Sequence, residues 1–438
     1  MHLKFTTLLL LYSLSILAKN KADSTKDDRF SIHAQATVIN QFKPKFRANY
    51  SGENSLSPSK ENRISVTTTL FAGVRLWKGA SIFINPELAG GFGLSGALGI
   101  ADATNGETTK VGNPAPQIYL ARCYYRQLFA LDTSSTYQPR DENQLGEHLP
   151  TKYISFTIGK ISVSDYFDDN TYSHDPRTQF MAWSFMDNGA WDYAANVRGY
   201  TPSIVLEYVS PKHEFRYGLS LVPFVANGSK MNWNISKASA HVAEYTYRYS
   251  LKSKPGAIRI LGYINTANMG NYTKSYTLNP IHPSVDSTRK YGRNKFGFGI
   301  SFEQSILEDL GFFARVGWSD GRNETWMFTE IDHTLSMGLS MTGQRWKRPN
   351  DVIGLAYVMS GISKPHQMYL KAGGLGFMLG DGTLTYKPEQ LLETYYSAAL
   401  YKQYIFLSGA YQLVVNPGYN KDRRGPVNVL SARLHFRI

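Results

Sequence analysis

The sequence of 438 residues has one cysteine, Cys123, so no internal disulfide can staple the chain and its stability has another source. No run resembles a transmembrane helix, and no Gly/Ser-rich or Pro-rich hinge separates compact blocks. The ten histidines are scattered without an H-x-x-H or H-E-x-x-H spacing, which leaves no zinc-enzyme pattern. A G-x-S-x-G elbow is missing as well. The glycine runs "GGFGLSG" and "GGLGFMLGDG" lack the strand-to-helix setting of a phosphate loop and suit loops that bend sharply. Basic residues are dispersed along the chain, which argues against a nucleic-acid binder.

What is present begins with an export signal. Lys4 precedes a mostly apolar run from Phe5 to Leu17, and Ala18 follows it with Ile16 two places before. The run is too short to span a bilayer, so residues 1–18 read as a cleaved leader and residues 19–438 as the mature domain. Aromatic residues make up 13% of the chain, with 29 Tyr against 23 Phe, and they recur at strand-like intervals.

Alternation is the main structural signal. In "AEYTYRYSLK", Tyr245, Tyr247, Tyr249 and Leu251 oppose Glu244, Thr246, Arg248 and Ser250. In "FGFGISFE", Phe296, Phe298, Ile300 and Phe302 oppose Gly297, Gly299, Ser301 and Glu303. The last ten residues set Leu430, Ala432, Leu434, Phe436 and Ile438 against Ser431, Arg433, His435 and Arg437. Sixteen such segments are expected, over 29–40, 63–77, 80–87, 117–129, 152–161, 200–209, 213–222, 242–252, 256–265, 295–304, 311–318, 333–342, 350–359, 392–401, 403–414 and 427–438. Segments of about ten residues match a tilted membrane-crossing strand, whereas soluble sandwiches use about five or six.

The connections alternate between short and long. Short turns are expected at "KG" 78–79, "SPK" 210–212, "KPG" 254–256, "QSILEDLG" 304–311, "QRWKRPN" 344–350 and Lys402. The other rim carries loops of a dozen to more than thirty residues. An even strand count with turns on one rim and loops on the other is the layout of an all-β, transmembrane antiparallel β-barrel. The segment 130–151 departs from it by being long on the short-turn rim, and no task is assigned to it.

Six stretches in order carry a family resemblance: "NPELAGGFGLSG" (85–96), "IYLARCYYRQ" (118–127), "SVSDYFDDNTYSHDPRTQF" (162–180), "GAWDYAANVRGYT" (189–201), "FFARVGWSDGRNE" (312–324) and "NPGYNKDRRGPV" (416–427). Along nearly the whole mature chain they resemble the carbohydrate-selective porin family of the OprB type. The resemblance implies a sixteen-stranded outer-membrane barrel through which sugars diffuse passively, and a third loop, about 162–199, folded inward to narrow the pore. A barrel of that size otherwise leaves an open aqueous channel.

Residues 162–180 hold Asp165, Asp168, Asp169, His174, Asp175 and Arg177. Three readings compete. Asp168, Asp169 and Asp175 could supply oxygen ligands to calcium, but the spacing lacks the alternation and closing glutamate of an EF-hand. Two acids about 5 to 9 Å apart could serve a glycosidase, a distance that spacing alone does not reveal. A constriction-loop network of salt bridges and Asx turns fits the composition best. Trp183 and Trp191 could stack on sugar faces or pack on the barrel wall.

Alternation puts Arg75, Glu87, Arg122, Arg126, Arg248, Arg259, Arg315 and Arg433 on the inner face, where water makes a charge cheap. Tyr119, Ala121, Cys123 and Tyr125 are assigned to the outer face of their strand. The expected pore-lining set is therefore Arg75, Glu87, Arg122, Arg126, Asp165, Asp168, Asp169, His174, Asp175, Arg177, Trp183, Arg248 and Arg315. Formal charge is +13, or +12 once Lys4 is removed, a surplus able to raise anion concentration in a channel.

The expectation is a carbohydrate-selective porin of the Gram-negative outer membrane, with no catalytic residues, metal or cofactor. Its partners are neutral or acidic sugars, outer-membrane lipid and lipopolysaccharide. Trimers are common among porins and monomers occur, and the sequence does not choose. The alternatives are a general anion-preferring porin and a barrel enzyme acting on polysaccharide or lipid.

Overall fold

A computed structural model describes residues 26–108, 115–423 and 425–438. The leader, 1–18, lies outside the described residues. In chain order the strands are β1 (Phe30–Lys43), β2 (Glu61–Trp77), β3 (Ala80–Gly91), β4 (Gln117–Ala130), β5 (Ser135–Gln138), β6 (Glu147–Pro150), β7 (Tyr153–Ile161), β8 (Thr201–Val209), β9 (His213–Ser220), β10 (Ser239–Leu251), β11 (Lys254–Met269), β12 (Lys290–Ser305), β13 (Leu310–Ser319), β14 (His333–Gly343), β15 (Arg348–Gly361), β16 (Glu389–Tyr401), β17 (Ile405–Val415) and β18 (Val427–Arg437). Sixteen of them close an antiparallel barrel, while β5 and β6 form a separate hairpin. Each of the sixteen expected segments falls on one barrel strand.

Closure joins β1 to β18, with Val38 opposite Leu434. Ala34 and Ile438 exchange both backbone hydrogen bonds, at 3.2 and 3.0 Å. No barrel edge among the described residues is left to hydrocarbon, which an all-β chain in lipid requires. Outward residues such as Phe296, Phe298 and Ile300 are exposed, while Gly297, Gly299 and Ser301 beside them are buried inside. Near the short turns, Trp77, Tyr208, Phe215, Tyr247 and Tyr401 form an exposed aromatic belt, the arrangement of an interfacial girdle. The turn expected at 254–256 sits earlier, on Lys252 and Ser253, both with positive φ (48° and 64°). Such a mirror-type turn suits the twist of the flanking strands, so Lys254–Gly256 continue into β11.

The core lies inside the barrel. The segment between β7 and β8 enters the lumen, where water is scarce and every backbone polar group needs a partner. Wall charges supply them. Arg315 on β13 donates to the carbonyls of Asp168, Ser173, Phe185 and Met186 at 3.2, 2.6, 3.1 and 3.4 Å, and pairs with the Asp168 carboxylate at 3.0 Å. Arg433 on β18 donates to the carbonyls of Pro176, Thr178 and Gln179 at 2.8, 2.9 and 2.6 Å. Carboxylates take the amides: Glu244 accepts from Asp168 (2.7 Å), Glu303 from Thr171 (2.8 Å), and Glu393 from Met181 and Ala182 (2.6 and 2.9 Å).

Small wall residues let the loop lie close. A side chain at Gly317 would occupy the space of the Asn188 amide, and one at Gly311 would meet the Tyr172 ring. Phe180 and Phe185 of the loop then pack on Phe313 and Tyr395 of the wall, Phe180 lying 4.9 Å edge-on from Tyr395.

Replacing Arg315 by Met should strand the Asp168 carboxylate and four carbonyls at a cost of about 3–5 kcal/mol. The expected outcome is a folded barrel whose 162–199 segment is cut by added protease, with larger and noisier single-channel conductance. Wild-type conductance and protease resistance would contradict this anchoring role.

Candidate pore constriction

Packing fills much of the lumen along β10 to β17, apart from a cavity of about 420 Å³ between residues 171–179 and the wall from Ser305 to Arg437, and it leaves open the side of β2, β3 and β4. There a water-accessible cavity of about 520 Å³ runs between the wall and the 162–199 segment. Two loops narrow it. Besides 162–199, the connection 92–116 contributes Asn105, Gly106, Glu107 and Thr108. The two loops are joined by backbone bonds, Gly106 N to Met181 O at 2.8 Å and Trp183 N to Ala103 O at 3.0 Å.

Glu87 on β3 is the hub. Its buried carboxylate accepts from Thr69 (2.6 Å), Tyr200 (3.0 Å), Arg177 (3.1 Å) and the Tyr119 hydroxyl. Arg177 also binds Glu107 at 2.7 Å, so it ties the two loops to the wall. Arg122 on β4 grips Asp165 with two nitrogens, at 2.6 and 2.7 Å, the fork geometry that fixes both groups. Its guanidinium lies 5.1 Å over the Tyr200 ring, and Arg198 lies 4.0 Å over Tyr119 at the outer lip.

Tyr119 corrects the expected facing of its strand. Between β3 and β4 the register shifts: Asn85 faces Arg122 but Pro86 faces Leu120, leaving Ala121 as an extra residue. This bulge reverses the alternation, so Tyr119 points inward together with Arg122.

Of the expected set, Glu87, Arg122, Arg126, Asp165, Asp169, His174, Asp175, Arg177 and Trp183 line the cavity. The other four, contrary to expectation, do not. Asp168 and Arg315 are spent on each other and on loop backbone. Arg75 pairs with Asp27 and Glu147 at the short-turn rim, at 3.2 and 3.5 Å. Arg248 pairs with Glu214 near the end of β10. All three arginines face inward, but each meets a partner outside the water path. Asp168, Asp169 and Asp175 do not converge on one point: Asp175 accepts from Arg177 N and the Thr178 hydroxyl (3.0 and 2.8 Å), an Asx-type turn. Among the described residues no group of three His, Cys, Asp or Glu could hold a metal ion. Trp183 is 7% exposed and stacks on Tyr193 at the edge of the cavity, whereas Trp191 is 2% exposed, packs against Phe167 and does not line the cavity.

Sequence reasoning missed Tyr119, Tyr200, Arg198 and Glu107. The tyrosines and Arg198 sit in quoted motifs, but only the bulge and the chain's return past Gly199 show where they point. Glu107 was signalled by nothing beyond the length of its loop.

A sixteen-stranded closed barrel with turns on one rim, loops on the other and two loops narrowing its lumen defines an outer-membrane porin. The chain belongs to the carbohydrate-selective porin, OprB family, whose sequence model matches residues 53–438. Among solved structures, the high-pH structure of OprB from Pseudomonas putida superposes with a TM-score of 0.67 at 14% identity, covering 93% of this chain and 94% of that one. The low-pH structure of the same protein gives 0.50 at 11%, covering 93% and 92%. The outer membrane channel DcaP of Acinetobacter baumannii gives 0.49 at 11%, covering 96% and 99%. Among curated proteins none matches. The family makes this protein a porin for sugar diffusion with carbohydrates as its substrates, and implies the Gram-negative outer membrane. Family and fold are those of channels, which are not enzymes.

Behind the cavity wall, burial pushes the Asp187 carboxyl up to about 7, with His174 and Arg315 opposing and Asp168 and Asp165 adding to the rise. Burial works against a charged His174, yet Asp187, 3.6 Å away, and Asp169 raise its pKa above the ordinary value. Both folded values lie above the unfolded ones, so the folded state binds more protons and stability falls as pH rises. For Asp187 the loss spans the range from its ordinary value of 3.8 to about 7. The barrel should melt at higher temperature at pH 5 than at pH 8, and Asp187→Asn should remove on the order of 2 kcal/mol of that dependence. Equal melting at both pH values would contradict the linkage.

Proposed function

We propose that sugars pass between the two loops by exchanging water for wall hydrogen bonds from Arg122, Arg177, Tyr119 and Tyr200 and to Glu87 and Asp165. The observation that carries this reading is the cavity itself, in which arginine forks, carboxylates and tyrosine hydroxyls converge on one water-filled path. Sugars are dense in donors and acceptors without net charge, and a wall that offers both in balance suits them.

Neutral sugars fit better than acidic ones. The lining holds four arginines, Arg122, Arg126, Arg177 and Arg198, against six carboxylates, Glu87, Glu107, Glu142, Asp165, Asp169 and Asp175. Counting His174, which Asp187 and Asp169 hold toward its charged form, the lining is within one charge of balance, in contrast to the positive chain as a whole. This argues against an anion-preferring pore. The geometry also argues against a glycosidase pair, because Glu87 and Asp165 are each bonded to an arginine rather than left free to act on a substrate. Catalysis plays no part in this reading.

The reading includes export by a leader cleaved after Ala18, a single barrel over 19–438, and an outer surface set in lipid and lipopolysaccharide. Cavity and constriction lie within one chain, so transport needs one barrel. Cross-linking in mild detergent tells a monomer from a homotrimer.

Osmotic swelling of liposomes should show neutral monosaccharides entering faster than uronates of equal size. Arg122→Ala, which removes charge-assisted bonds worth about 1.5–3 kcal/mol, should weaken half-saturation by glucose roughly tenfold and flatten discrimination among sugars. No swelling with any solute, or rates set by size alone, would overturn the reading.

A further inference from the structure

The connection between β4 and β7 lies on the rim where the other barrel strands are joined by short turns, yet it builds the β5–β6 hairpin. Ser135 pairs with Pro150 and Gln138 with Glu147, and the tip is closed by two backbone bonds between Asp141 and Gln144, at 3.2 and 3.0 Å. This hairpin does not trail away from the barrel. Leu145 is fully buried and belongs to the same apolar cluster as Phe83 and Tyr124 of the inner wall.

Charge fixes it from two sides. Glu147 accepts from Arg126 at 2.8 Å and from Arg75 at 3.5 Å, both on the barrel wall. The segment before β1 clamps the other side: Asp28 N donates to Gly146 O at 2.6 Å, Arg140 binds Asp28 at 2.8 Å, and His148 N and Nδ1 reach Asp27 at 2.8 and 2.9 Å. So anchored, the tip presents Glu142, Asn143 and Gln144 to the cavity that Arg122 lines from the wall and Asp175 and Arg177 line from the loop. The Asn143 side-chain oxygen is buried and has no partner among the described residues.

We propose that the β5–β6 hairpin is a second, periplasmic constriction of the pore, in which Glu142 and Asn143 bind sugar hydroxyls as the solute leaves the two-loop constriction. The inference rests on the porin reading and deepens it. A channel conducts fastest when binding is divided among successive weak sites, so that a solute is released from one as it engages the next. A floor of polar side chains under the arginine–carboxylate zone supplies the second step.

The test places a single thiol at the tip: Asn143→Cys with Cys123→Ser, reconstituted in planar bilayers and treated with a positively charged methanethiosulfonate. Modification, verified by mass, should cut single-channel conductance to about half or less, and glucose should slow the reaction. Replacing 134–150 by a short turn should raise conductance and let disaccharides swell liposomes that wild-type channels exclude. Full modification with unchanged conductance would overturn the proposal, and so would a folded channel whose introduced thiol never reacts. If the shortened variant does not fold, the thiol measurement still decides. A wild-type channel that does not conduct would instead sink the porin reading, so the two failures are distinguishable.

Discussion

The structure depends on satisfying peptide groups that have been brought indoors. A barrel of sixteen strands encloses more volume than its inward side chains fill, and loops occupy the rest. Each loop residue carries an amide and a carbonyl that lose most of their water on the way in. The wall answers with charge. Arg315 and Arg433 take carbonyls in groups, and Glu244, Glu303 and Glu393 take amides. A buried ion usually demands a counter-ion, but here much of the compensation comes from oriented backbone dipoles. The loop and the wall charges therefore hold each other in place, and removing either leaves the other unsatisfied.

That mutual requirement divides the lumen. Along β10 to β17 the wall offers carboxylates, arginines and small residues such as Gly311 and Gly317, and the loop lies against it. Along β2 to β4 it offers Glu87, Arg122 and Arg126, and the water remains. Arg177 marks the border: a loop residue, it reaches across to Glu87 and Glu107 and fixes how far the segment stands from the opposite wall. Pore width thus follows from an ion network whose other half is buried packing.

Much of this was legible in the sequence, for a physical reason. Strand alternation is a local property, and lipid outside with water or loop inside writes it into segments such as 296–303 and 429–438. The same rule put Arg315, Arg433 and Arg122 indoors. It could not say which would be consumed by loop backbone and which would face water, because that depends on contacts more than a hundred residues apart. One extra residue at Ala121 was enough to hide Tyr119, since a period of two has no memory across a bulge. The hairpin at 130–151 was visible as an excess of length, but nothing local to it announced that Glu147 would find Arg75 and Arg126. Gly299 was placed on the inner face, while its use as a bed for Asn188 of the loop needed the loop's position.

The contrast between whole-chain charge and cavity charge follows from the same division. A formal charge of +13 suggests a passage for anions, yet the arginines that alternation sends inward are of two kinds. Arg315 and Arg433 are fully buried and bonded to carbonyls, so their charge is felt by the loop rather than by a solute. Arg122 and Arg177 keep 13% and 12% of their side chains exposed and are paired with carboxylates on the same path. A passing molecule meets guanidinium N–H groups whose charge has already been matched. Such donors bind hydroxyls without attracting anions, because hydrogen bonding is short-ranged and directional while the net field of a matched pair decays quickly. Preference for an uncharged polyhydroxylated solute is thus a consequence of how the constriction is held together.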